Sequence, residues 1–101
     1  MSVVVIPFRS QFQDQLLNGT KTCTARTKQL GKAGDTFKVF GATFEIVSVS
    51  EAQLCEVAAM WKEEGCESRE HFIETWNSIH RVRQYAPYQY VMLHRFRKVQ
   101  P

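Results

Sequence analysis

Gly19-Thr20-Lys21-Thr22-Cys23-Thr24-Ala25-Arg26 gathers an amine, hydroxyls, a thiol and a guanidinium behind a single glycine. Read as a strand from Lys21 to Arg26, it alternates its Cβ atoms between two faces. Thr22, Thr24 and Arg26 share one face; Lys21, Cys23 and Ala25 share the other. A turn or bulge after the glycine brings the long Lys21 side chain back toward Thr24. A lysine within reach of a threonine hydroxyl is a base-plus-nucleophile pair. The same residues also suit a solvated edge strand, and a motif this short does not separate the two readings.

Upstream, Val3-Val4-Val5-Ile6 reads as a buried strand ended by Pro7. Ser10 with Gln13 has capping-box form, Phe12, Leu16 and Leu17 make one apolar helix face, and Gly19 is the stop. Downstream, Gly31 to Asp35 is turn chemistry. Strands are expected over Thr36–Phe40 and Thr43–Val49, joined at Gly41-Ala42, with Phe37, Val39, Phe44 and Ile46 inward.

Ser50-Glu51-Ala52-Gln53 has the form of a second capping box. Leu54, Val57, Ala58 and Trp61 recur at helical spacing as far as Gly65. Ser68 caps a third helix whose stripe is Phe72, Ile73, Trp76 and Ile79. Both tryptophans read as core anchors on these stripes. A last strand runs from about Gln89 to Arg97. Strand, helix, strands, two helices, strand is not doubly wound alternation; it predicts a small α+β fold with a curved or barrel-like sheet.

The chain has 101 residues, 44% hydrophobic and 23% charged, which suits one soluble domain, 1–101. No apolar run reaches membrane length and the opening has no signal-peptide form, so a cytoplasmic protein with no membrane partner is expected. Cys23, Cys55 and Cys66 show no pairing or ligand spacing, which fits a reducing compartment. The net charge of +3 is uneven: residues 1–38 carry +4, residues 39–78 carry −6 and residues 79–101 carry +5. The basic ends suit a polyanion such as RNA, or simply a solvated surface.

His71, His80 and His94 are dispersed, so no metal site is expected. His80, at a helix end, reads as a cation favoured by the helix dipole. Glu63-Glu64-Gly65-Cys66-Glu67 marks a corner between helices, where a carboxylate can turn into a cleft and orient a lysine.

These motifs together resemble the ASCH domain family, which has the PUA-like fold. The resemblance rests on Phe12, Leu16 to Arg26 as a helix followed by G-x-K-T-x-T-x-R, Gly34-Asp35-Thr36-Phe37, Glu64 to Ser68 with Glu70, Phe72 and Trp76, and the strand Tyr90 to Phe96. Within it, the chain is similar to small bacterial amidohydrolases acting on N4-acetylcytidine. That implies a Thr24 nucleophile, Lys21 as its activator, Glu64 (or its neighbour Glu63) as the site acid, and Arg26 facing substrate. It implies a modified nucleoside as the small-molecule partner; no cofactor is expected, since the sequence has neither metal-ligand spacing nor a Gly-rich phosphate loop. Phe8 and Tyr90, with Tyr85 and Tyr88 beside them, are candidates to stack the base. Other ASCH domains are proposed RNA binders, and one branch resembles ribonucleases; Arg81, Arg83, Arg95 and Arg97 would serve that alternative.

Overall fold

The computed structural model describes residues 1–99. Residues 100 and 101, which close the 1–101 domain expected from the sequence, lie outside the described residues. After a 3-10 turn, Ser10–Phe12, come α1 (Gln13–Leu17), β1 (Cys23–Arg26), β2 (Thr36–Val39), β3 (Ala42–Gln53), α2 (Leu54–Ala59), α3 (Arg69–Ile79) and β4 (Tyr90–Lys98). The strands form one curled antiparallel sheet of four in the order β1-β4-β3-β2. This is an α+β fold. The long β3–β4 ladder holds it together, and a bulge between Ile46 and Ser48 adds local twist and bends the sheet.

The sheet separates two apolar clusters. Cys23, Ala25, Val91 and Leu93 meet Leu54, Val57 and Ala58 of α2 and Phe72 and Trp76 of α3. On the other side Phe37, Phe44, Ile46 and Phe96 pack with Ile6 and Leu16. Phe96 stands edge-on to Phe37 and Phe44, with centroids 5.4 and 5.6 Å apart, a favoured aromatic geometry. Phe37, Phe44 and Ile46 are inward as expected, while Val39 is half-buried.

Several local expectations are corrected. Val3 to Ile6 is not a strand: Val3 makes one parallel bridge to Thr36 at the sheet edge. Val3 and Val5 are 75% and 82% exposed and only Ile6 of the four is fully buried, because the segment lies along β2 with one side toward water. Ser10 makes no cap; it opens the 3-10 turn. The hairpin turn is Phe40-Gly41, both at positive φ (52° and 77°), with Val39 paired to Ala42. That is type I′ geometry, whose twist suits a two-residue hairpin.

The box expected at Ser50 and Gln53 is displaced by one turn. Residues 50–53 stay in the β3–β4 ladder, out to the Gln53–Tyr90 pair. Gln53 itself caps α2, and Glu56 accepts from its backbone N–H at 2.8 Å. The helix expected to run to Gly65 ends at Ala59 and unwinds into turns. Ser68 does cap α3, accepting from the His71 N–H at 3.0 Å.

Candidate functional site

β1 is an edge strand, and a cavity of about 590 Å³ opens beside it. Its lining brings together Lys21, Thr24 and Arg26, Glu64 and Cys66, and the rings of Phe8, Phe12, Phe72, Trp76 and His80. Two glycines make this arrangement possible. Gly19, at φ +84°, ends α1 and lets the Lys21 N–H return to the Gln15 carbonyl at 2.9 Å. Gly65, at φ +83°, comes so close that an added Cβ would sit 3.0 Å from Lys21 Cβ.

The unwound end of α2 does the rest. The Glu63 carbonyl accepts from the N–H groups of Thr22 and Cys23, at 2.8 and 3.3 Å, and so fixes the entry to β1. Glu64 then turns inward and is 5% exposed, while the Glu63 side chain stays in water. Of the two glutamates, it is Glu64 that meets Lys21. The Lys21 Nζ donates to the Glu64 carbonyl at 2.8 Å and to Oε1 at 3.2 Å. Both side chains are almost wholly buried. The ammonium also lies over the Phe12 ring, 4.9 Å from its centroid, a cation–π contact.

Thr24 finds a different neighbour from the one the sequence suggested. Its Oγ1 accepts from Arg26 Nε at 3.1 Å, as expected for residues two apart on one strand face. Among the described residues, no hydrogen bond joins Lys21 to Thr24. Arg26 also donates to the Pro7 carbonyl at 2.6 Å and lies over Phe8 at 4.8 Å. Burial lowers the guanidinium's pKa and the Glu64 charge opposes that shift. No carboxylate pairs with it among the described residues.

Of the aromatic residues expected at the site, Phe8 lines the cavity. Tyr90 does not: it is 61% exposed at the start of β4. Tyr88 is also in water, and Tyr85 packs on the helix-side core near Arg69. The wall is completed by Trp76 and His80, one helical turn apart. Their rings stack at 3.9 Å, and His80 Nδ1 donates to the Trp76 carbonyl at 3.1 Å. That i, i+4 spacing was readable in the sequence, but the apolar stripe and the helix end explained both residues without a cavity. Among the described residues, no three His, Cys, Asp or Glu side chains gather as a metal-ligand set.

His94, paired with Thr24 across β1 and β4, is fully buried. Its Nε2 accepts from the Leu30 N–H at 3.0 Å, so the proton is on Nδ1, which donates to the Met92 carbonyl at 3.1 Å. Burial holds its pKa below the ordinary histidine value. The unfolded chain therefore takes up this proton first as pH falls. His94 contributes stability that is complete above about pH 6.5 and is lost as pH drops through the folded pKa. Thermal melts between pH 8 and 5 should show Tm falling more steeply below about pH 6.5 in the wild type than in His94→Gln. Parallel curves would contradict this.

The α+β fold matches that of a solved ASCH domain. The chain superposes on the ASCH domain from Lactobacillus crispatus JV V101 with a TM-score of 0.64, over 96% of this chain and 78% of that one, at 17% identity. It is likewise similar to a DUF984 protein from Enterococcus faecalis V583, with a TM-score of 0.60 over 97% and 75% of the two chains at 18% identity. No family model and no curated protein matches the sequence. No helix among the described residues is long and apolar enough to cross a membrane.

Proposed function

We propose that this protein is an amidohydrolase that cleaves the acyl amide of N4-acetylcytidine and related N4-acylated cytosine nucleosides, giving cytidine and a carboxylic acid. The observation that carries this reading is the buried Lys21–Glu64 pair sharing one aromatic-walled cavity with Thr24. The cavity volume falls in the range of small-molecule sites, about 300–1,000 Å³. Phe8 and Trp76 supply flat apolar surface for a pyrimidine ring.

In this mechanism Thr24 Oγ1 attacks the acyl carbon. Arg26 Nε–H, already on that oxygen, steadies the developing negative charge and leaves the threonine O–H free to point elsewhere. Lys21 passes one proton to Glu64 Oε1 and takes the threonine proton in its place, so the lysine acts as the relay. Collapse of the tetrahedral intermediate breaks the C–N bond, and the leaving N4 takes a proton from Lys21. The departing nitrogen is attached to an electron-poor ring, which makes it a better leaving group than an alkylamine. Water then hydrolyses the threonine ester: it gives a proton to Lys21, which passes it to the departing Thr24 Oγ1, the acyl group leaves as the carboxylic acid, and Glu64 hands its proton back to Lys21.

Incubation with N4-acetylcytidine, followed by chromatography, should yield cytidine and acetate in step. Retention of RNA with no release of cytidine would overturn the reading in favour of an RNA-binding module.

A further inference from the structure

The Glu64 carboxylate has two oxygens, and each has its own donor. Oε1 faces Lys21, and Oε2 accepts from the Cys23 thiol, with Sγ 3.4 Å away. Cys23 is fully buried, sits on β1 immediately before Thr24, and does not line the cavity. It belongs to the helix-side core, among Leu54, Val57 and Ala58. Packing alone asks there only for a small apolar side chain. Burial and the nearby Glu64 charge push the thiol far above the ordinary cysteine range. It therefore stays protonated and acts as a donor rather than a nucleophile.

We propose that Cys23 is a positioning residue whose S–H holds Glu64 Oε2 and so presents Oε1 to Lys21. The strand's alternation produces this geometry directly. Thr24 and Arg26 turn to one face, while Cys23, on the other, reaches the same glutamate that Lys21 does. A one-residue change in register would separate the donor from the carboxylate. The kinetic consequence rests on the amidohydrolase reading; the contact itself does not.

The test compares Cys23→Val, which fills the site without a donor, with Cys23→Ser, which keeps one. Supporting groups of this kind contribute about 10- to 100-fold in metal sites, and a weaker thiol donor here should lie at the low end. Cys23→Val is expected to lower kcat on N4-acetylcytidine about tenfold while KM changes little. Cys23→Ser should recover most of the rate. A folded Cys23→Val protein with wild-type kcat would overturn the proposal.

Infrared spectroscopy tests the contact without activity. In a Cys55→Ser, Cys66→Ala background, the remaining S–H stretch should lie at lower wavenumber with Glu64 than with Glu64→Gln. A band that does not move overturns the proposal even if the valine variant fails to fold. A band that moves, in a protein that never releases cytidine, would refute the amidohydrolase reading and retain Cys23 as the residue that sets the Glu64 carboxylate.

Discussion

Replacing Thr24 or Lys21 with alanine is expected to reduce turnover of N4-acetylcytidine by roughly three to four orders of magnitude, and the double variant should fall little further. One removes the attacking oxygen and the other the amine that relays its proton, so either loss disables the same step. Thr24→Ser should keep part of the activity, since it retains the hydroxyl. Glu63→Gln should be nearly silent, because Glu63 serves the site through its backbone carbonyl. Steady-state kinetics with circular dichroism as a check on folding decides the matter. A folded Thr24→Ala protein turning over at the wild-type rate would remove the nucleophile and leave only a water-mediated route.

The second large effect is on stability. Glu64→Ala leaves the Lys21 ammonium buried with the residue-64 carbonyl and the Phe12 and Phe8 rings but no counter-charge. Removing one partner of a buried ion pair costs about 3–5 kcal/mol. Guanidinium unfolding should therefore show a much lower midpoint for Glu64→Ala, and a smaller loss for Glu64→Gln, which keeps an acceptor. Replacing both partners, Lys21→Met with Glu64→Leu, should recover most of the loss, since well-packed apolar substitutes are often neutral or better. That double variant should still be inactive. A double variant no more stable than Glu64→Ala would mean that the pair is needed for the fold itself.

What the sequence disclosed divides by range. Gly19, Ser68, the Phe37–Phe44 pairing face and the alternation through Thr24 are set by neighbours within a few residues, and they were legible. The cap at Gln53 is masked because Ser50 to Gln53 satisfies a local pattern that the β4 ladder overrides. Phe40 at positive φ was hidden for a similar reason, the twist of the paired strands. At the site, Lys21, Thr24 and Arg26 stood together in one motif. Glu64 became distinguishable from Glu63 only where the unwound end of α2 sets one side chain inward and the next outward. In the sequence Tyr90, on a terminal strand, reads as a freer aromatic than Trp76, which a helical stripe already accounts for. Trp76 serves both the core and the cavity. His94 carried no signal at all: its role depends on Leu30, Met92 and Thr24 meeting around it.

The sheet order has a consequence for the sequence of events during synthesis. β4, the last of the four described strands to be synthesised, lies between β1 and β3. Until it docks, Thr24 has no partner strand, and the entry to β1 is held by the Glu63 carbonyl. The residues of the site are thus made early and assembled last. Contacts spanning most of the chain must close before any of them is in position, which favours slow folding for so short a polypeptide. A nascent or truncated chain without β4 carries every group of the candidate site and has no site.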